Sequence, residues 1–238
     1  MAKERLDKLI ASTGRWSRRE VKTLVREGRV LVDGRIAGSV EEKYDAESCR
    51  IAVNGEELPL RRHTYVMLHK PAGVLSATED GRGRTVLDLL TPELRKIGVF
   101  PVGRLDKDTE GLLLLTDDGE LAHALLSPKK HVDKVYYARV SGRLTPEDCA
   151  AFEAGMTLGD GLECLPAGLE ILTAGETSEC LVTLREGKFH QVKRMLAARG
   201  KPVEYLKRLS MGPLRLDDTL APGEFRLLTA AEEAQLQR

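Results

Sequence analysis

The chain has 238 residues, 42% of them hydrophobic and 31% charged, with a formal net charge of zero. That length supports a real core, in one large domain or in a large and a small one, and no apolar run approaches the roughly 20 residues of a membrane span. Aromatic residues are scarce at 4%, so the core must be built mainly from Leu, Val, Ala and Ile.

The start, Met1-Ala2-Lys3-Glu4-Arg5, becomes amphipathic at once and lacks the apolar centre of a signal peptide. Cys49, Cys149, Cys164 and Cys180 form no C-x-x-C pair and do not space like a disulfide framework, so reduced thiols in a cytoplasmic protein are expected. Leu6, Leu9 and Ile10 make a short helical stripe. Ser17-Arg18-Arg19-Glu20 has capping-box spacing and opens a second helix, with Val21, Leu24 and Val25 on one face and Gly28 free to take the left-handed cap. Val30-Leu31-Val32, Asp33-Gly34 and Arg35-Ile36-Ala37 read as strand, tight turn, strand. A second short pair around Arg50–Val53 and Asn54-Gly55 closes a unit over residues 1–60, and Pro59–His63 reads as a linker. The zero net charge hides two basic blocks. Residues 1–35 carry ten Lys or Arg against five acids, and residues 185–208 carry eight against two. Each is a local footprint for an anionic partner.

From about Thr64 the pattern alternates strands and helices. Strands are predicted over Tyr65–His69, Leu112–Thr116, Val135–Val140, Cys180–Leu184 and Val203–Lys207. Helices are predicted over Glu120–Leu126 (stopped near Ser127-Pro128), from Thr145-Pro146 through Ala154, over Phe189–Arg199 and over Thr229–Gln237. Hairpin-like connections and few helices point to an α+β domain around a mostly antiparallel sheet, over residues 64–238.

The densest polar segment is Gly103-Arg104-Leu105-Asp106-Lys107-Asp108-Thr109-Glu110-Gly111, running into Leu112–Thr116. A glycine-bounded loop feeding a buried strand is a rigid mount for a reactive side chain. Three chemistries fit parts of it. Asp106, Asp108, Glu110, Gly111 and Asp117 match positions of an EF-hand calcium loop, but that loop needs flanking helices, and Pro101, Gly103 and the following strand deny them. An aspartyl phosphotransferase would place Thr where Glu110 stands. The third is carried by resemblance. Gly103-Arg104-Leu105-Asp106-x-Asp108-Thr109-x-Gly111 and its Leu-rich strand resemble the central motif of the pseudouridine synthases. Lys134-Val135-Tyr136 resembles that family's second motif, and Gly187-Lys188-Phe189-His190-Gln191-Val192-Lys193-Arg194-Met195 its third. Arg5-Leu6-Asp7-Lys8, Ser17–Glu20 and Gly28–Gly34 resemble the S4 RNA-binding domain that accompanies one branch of the family. Leu220–Arg226 resembles the members acting on the small ribosomal subunit.

The resemblance implies an isomerase that breaks the N1–C1′ bond of a uridine and rejoins the base through C5, with no cofactor and no metal. Asp106 is then the catalytic carboxylate, Lys193 the cation paired with it, and Tyr136 the aromatic platform for the base. Arg104 contacts phosphate or fills the space of the flipped base. Desolvation drives a buried carboxylate toward its neutral form and a neighbouring cation restores the charge, which gives Lys193 a physical task. Unstacking a base costs a few kcal/mol, part of which a stacking aromatic recovers. Tyr137 should point to the opposite strand face. Arg18, Arg19, Lys22 and Arg26 offer cations to phosphates without reading bases. The five histidines are scattered and read as packing or hydrogen-bonding residues. The implied partner is rRNA or an assembling ribosomal particle, with no membrane and a monomeric chain. The implied target is a uridine of 16S rRNA, position 516 by resemblance. The alternatives are a 23S uridine, or a non-catalytic S4-type RNA-binding or ribosome-assembly protein.

Overall fold

The computed structural model describes residues 3–46, 48–58, 60, 62–127 and 130–236. The chain divides into two compact units. One comprises Met1–Thr64, Leu90–Val99 and Thr116–Asp118; the other comprises Tyr65–Leu89, Phe100–Leu115 and Gly119–Arg238. Pro59 and Arg61 of the expected linker, the expected helix stop Pro128, and Gln237 lie outside the described residues. No helix among the described residues is long and apolar enough to cross a membrane.

In the first unit, helices Leu6–Ala11 and Arg18–Arg26 accompany a four-stranded sheet in the order Arg35–Ile36, Val30–Val32, Ile51–Val53, Glu56–Glu57. The capping box forms as its spacing predicts. Ser17 Oγ accepts from Glu20 N–H at 3.3 Å, and the Glu20 carboxylate accepts from Ser17 N–H at 2.7 Å. Asp33 and Gly34 both take positive φ, 49° and 77°, as a two-residue hairpin of primed type requires. Leu6, Ile10, Val21, Val30 and Ile51 are fully buried at its core. That packing leaves Arg18, Arg19, Lys22 and Arg26 on the exposed side of the second helix, with no ion pair among the described residues.

The second unit is built on a nine-stranded sheet. Its main path runs Gly168–Thr173, Thr177–Leu184, Lys134–Ser141, Val203–Met211, Glu110–Thr116, Tyr65–Lys70, Phe225–Leu227, with Leu214–Arg215 and Phe100–Pro101 paired at the side. Val203–Met211 and Glu110–Thr116 pair in parallel, whereas Lys134–Ser141 is antiparallel to both its neighbours. The sheet is therefore mixed and mostly antiparallel. Met67, Val102, Leu112, Leu114 and Met211 lie at the centre of the core on one side.

Several boundaries differ from the sequence expectation for physical reasons. The strand expected from Leu112 starts at Glu110, because parallel pairing with Lys207 and Arg208 draws Glu110 and Gly111 into the sheet. The helix expected over Phe189–Arg199 spans Gln191–Ala198, because His190 takes the left-handed conformation at φ 50°, ψ 31° and interrupts it. The strand expected over Val203–Lys207 continues to Met211, pairing with Lys134–Ser141 along its length. The last helix spans Ala230–Leu236. The strand Gly168–Thr173 has no counterpart among the expected elements. It is an edge strand with one buried side chain, Leu169, and its alternation is correspondingly weak.

Candidate active site

Asp106 lies in the turn that precedes the strand Glu110–Thr116, and several hydrogen bonds hold that turn, among them one from Gly73 N–H to the Lys107 carbonyl at 2.7 Å. Thr109 N–H donates to the Asp106 carbonyl at 3.1 Å. Ser76 Oγ accepts from Leu105 N–H at 3.0 Å and donates to the Leu105 carbonyl at 2.9 Å. Beneath the turn, Lys70 is fully buried, and its Nζ lies 2.8–3.3 Å from the carbonyls of Pro71, Asp106, Lys107 and Thr109. Burial pushes the Lys70 pKa down to about 8, opposed by the carboxylates of Asp108, Asp106 and Glu110. A cation at the focus of four carbonyls fixes the direction of each peptide around the carboxylate. At Gly111, φ is 106°, and a Cβ there would stand 2.2 Å from the Arg208 carbonyl oxygen. Only glycine permits this approach of the two parallel strands just beyond the turn.

Helix Gln191–Ala198 buries Val192, Met195 and Leu196, which leaves Lys193 at the border of its inner face. From there Lys193 Nζ lies 3.2 Å from Asp106 Oδ2 and 2.5 Å from Asp108 Oδ1. The Lys193 hydrogen bond holds the Asp108 carboxyl below its ordinary range. Strand Lys134–Ser141 alternates, burying Lys134, Tyr136, Ala138 and Val140 on one face. Tyr137 points to the other face, as expected, and meets Tyr205 edge-on with centroids 6.1 Å apart. Arg104, Asp106, Tyr136 and Lys193 all line one pocket, with Leu184 closing its wall. The four residues singled out for chemistry thus converge on one place from three separate segments of the chain. Arg18, Arg19, Lys22 and Arg26 belong to the other unit.

The EF-hand resemblance is dispersed by the fold. Glu110 accepts from the Tyr205 hydroxyl at 2.7 Å, and Asp108 is engaged by Lys193. Among the described residues, no group of three or more His, Cys, Asp or Glu side chains is placed to hold a metal.

Two residues at the site are not marked by the sequence motifs as chemical. His190, one of the scattered histidines, puts Nε2 3.5 Å from Asp106 Oδ1 and lines the pocket. Its ring stacks on Phe189, with centroids 3.8 Å apart and planes at 19°. Its position three residues before Lys193 on an expected helix is the available signal, because i and i+3 share a face. Lys70 reads in the sequence only as the end of a strand. A lysine followed by proline at the end of an apolar run is the signal that could mark it.

The chain is similar to known proteins along nearly its whole length. The S4 domain family matches residues 4–48, and the family described as RNA pseudouridylate synthase matches residues 64–198. The chain belongs to the RNA pseudouridylate synthase family, carries an S4 domain, and is an isomerase of the pseudouridine synthase class. It is 51% identical over 229 residues to an uncharacterized RNA pseudouridine synthase of Bacillus subtilis (strain 168), covering 96% of each chain. It is 40% identical over 233 residues to the ribosomal small subunit pseudouridine synthase A of Vibrio cholerae, covering 98% of this chain and 99% of the relative. The ribosomal large subunit pseudouridine synthase B of Bacillus subtilis is 39% identical over 237 residues, covering 98% and 96%. A crystal structure of a pseudouridylate synthase superposes with a TM-score of 0.68 at 35% identity, covering 98% of this chain and 99% of that one.

Proposed function

We propose that the chain isomerises one uridine of 16S rRNA, position 516 by resemblance, with Asp106 as the catalytic carboxylate. The observation that carries the reading is the convergence of Asp106, Lys193, Tyr136 and Arg104 on one pocket. The reaction breaks the N1–C1′ bond, forms C5–C1′, releases the proton from C5 and protonates N1. Attack on C1′ or the base and stabilisation of a glycal intermediate all need an ionised carboxylate at the ribose, and the ion pair with Lys193 supplies a partner for it. Tyr136 stacks on the uracil once the target uridine has swung out of the RNA stack, and Arg104, exposed at the mouth, takes the place of the base or contacts phosphate. His190 holds the second Asp106 oxygen as a positioning residue. No redox change or imported group is required, so no cofactor is added.

Residues 1–60 act as the RNA-binding unit and residues 64–238 as the catalytic unit of a monomeric cytoplasmic enzyme. Arg18, Arg19, Lys22 and Arg26 contact phosphate. A 23S target is the second reading, supported by the large-subunit relative at 39% identity, close to the 40% of the small-subunit one.

The test is release of tritium from rRNA carrying [5-³H]uridine. Wild type should release one equivalent per transcript without added cofactor, and Asp106→Asn should release none while binding the same RNA. Release by Asp106→Asn at the wild-type rate would remove Asp106 from the chemistry.

A further inference from the structure

Beside the Asp106 pocket lies a second cavity of about 430 Å³, lined by Arg104, Lys134, Tyr136, Lys188 and Arg208 and by one carboxylate, Glu186, among others. It shares Arg104, Tyr136, Gly187 and Lys188 with the Asp106 pocket, so the two are neighbours across the tyrosine ring. Its charge is unusual. Arg208 is 2% exposed and Lys134 7% exposed, and neither has a carboxylate within ion-pair distance among the described residues. Arg208 Nε donates to the Leu112 carbonyl at 2.8 Å, but its buried Nη2 has no hydrogen-bond partner. Lys134 Nζ donates to the Val132 carbonyl at 3.2 Å and has two further N–H groups to give.

The acids nearby are committed elsewhere. The Glu186 carboxylate accepts from Lys188 at 3.0 Å, Gln191 Nε2 at 2.5 Å and Leu165 N–H at 2.9 Å. Asp133 is held by Arg185 Nε at 2.8 Å. Burial, and then the Arg208 guanidinium, push the Lys134 pKa down. Two buried cations that repel one another, each with an unused donor and with only the more distant Asp133 charge acting in favour of Lys134, form an arrangement that folding alone does not require. An anion rich in oxygen acceptors would complete it.

We infer that this cavity is an anion subsite that takes an RNA phosphodiester adjoining the target uridine, with Arg208 and Lys134 as its buried donors. The inference rests on the reading of the Asp106 pocket as the uridine site and extends it to the neighbouring backbone. Through such a subsite, backbone binding outside the reacting ring fixes the ribose against Asp106.

The test is calorimetric titration of the full chain with uridine, uridine 3′,5′-bisphosphate and inorganic phosphate at fixed ionic strength. The bisphosphate should bind wild type at least about tenfold tighter than uridine, the scale of one charge-assisted hydrogen bond. Lys134→Met should cut that preference to about threefold or less without lowering thermal stability, because it removes a buried repulsion. Inorganic phosphate binding as tightly as the bisphosphate would make this a free-phosphate site and overturn the proposal. So would a wild-type preference below threefold, including no saturation by either nucleoside, or an undiminished preference in Lys134→Met. Because these readouts need no turnover, a failed tritium assay with the binding pattern intact would remove the proposed reaction and leave the subsite standing.

Discussion

Replacing Lys70 with Met tests whether the Asp106 turn is held from below. The substitution keeps the length of the side chain but deletes the donor shared by four carbonyls. Hydrogen bonds to a charged group contribute about 1.5–3 kcal/mol each, and four geometrically linked ones do not add in full. Against that loss stands relief of the buried charge. The fall from 10.5 to about 8 corresponds to roughly 3 kcal/mol, with no screening discount because the side chain is fully buried. The net expectation is destabilisation of about 2–3 kcal/mol, together with a fall in kcat of about a hundredfold, as a slightly misplaced catalytic group produces. Urea unfolding and tritium release measure the two effects. A pH signature separates this role from simple packing. Between pH 8 and 10.5 the unfolded chain keeps the Lys70 proton and the folded chain does not, so stability rises with pH across that window. The variant should lack that part of the rise. Turnover within threefold of wild type, or an unchanged pH profile of stability, would show that Lys70 does not hold the turn.

Gly111→Ala should cost at least about 4 kcal/mol, since its Cβ would meet the Arg208 carbonyl oxygen at 2.2 Å and its nitrogen at 2.6 Å with φ at 106°; a melting temperature within a few degrees of wild type would contradict the close approach. Arg226 bridges Asp217 at 2.6 Å and Glu232 at 2.8 Å. Hydrogen bonds from Thr219 and Arg226 hold Asp217 down to about 2, and Arg226 holds Glu232 down to about 2. That stability is present above the ordinary carboxylate range and lost as pH falls from about 4.5 to about 2. Arg226→Leu should therefore flatten the acid limb of the stability curve followed by circular dichroism. Replacing Lys22 and Arg26 by Gln should lower the slope of log affinity against log salt for an rRNA transcript by about 0.7–0.9 for each phosphate no longer neutralised; fluorescence anisotropy that gave an unchanged slope would remove both from the interface.

Much of the fold is legible in the sequence because local rules and tertiary packing agree there. The Ser17–Glu20 capping box, the Asp33-Gly34 turn and the alternation of Lys134–Ser141 each appear as their chemistry dictates. The pocket is legible for a different reason: Asp106, Tyr136 and Lys193 sit in motifs whose resemblance to a family spans the chain. The differences arise where long-range pairing decides. Glu110 and Gly111 look like loop residues until Arg208 pairs beside them, and Phe189 and His190 continue a helical pattern that a left-handed His190 breaks. Lys70 and Arg208 are buried cations whose burial is decided by long-range contacts, with only the Lys70-Pro71 pair at the end of an apolar run as a local hint. Their partners are carbonyls 36 to 39 residues away for Asp106, Lys107 and Thr109, and 96 residues away for Leu112. The Leu220–Arg226 motif is legible by resemblance alone. The structure gives it a physical content, with the Ala221 N–H bound to Glu224 and Arg226 tying Asp217 to the last helix.

Conversion of one rRNA uridine to pseudouridine in the Asp106 pocket is the proposal from which the other site predictions follow. The most direct measurement is a pseudouridine map of 16S and 23S rRNA transcripts, and of partly assembled ribosomal particles, after incubation with wild type or Asp106→Ala and no cofactor. One new pseudouridine, in 16S rRNA, is expected with wild type and none with the variant. The same modification made by Asp106→Ala would remove Asp106 from the chemistry, and no new pseudouridine on any of these substrates would contradict the proposed activity.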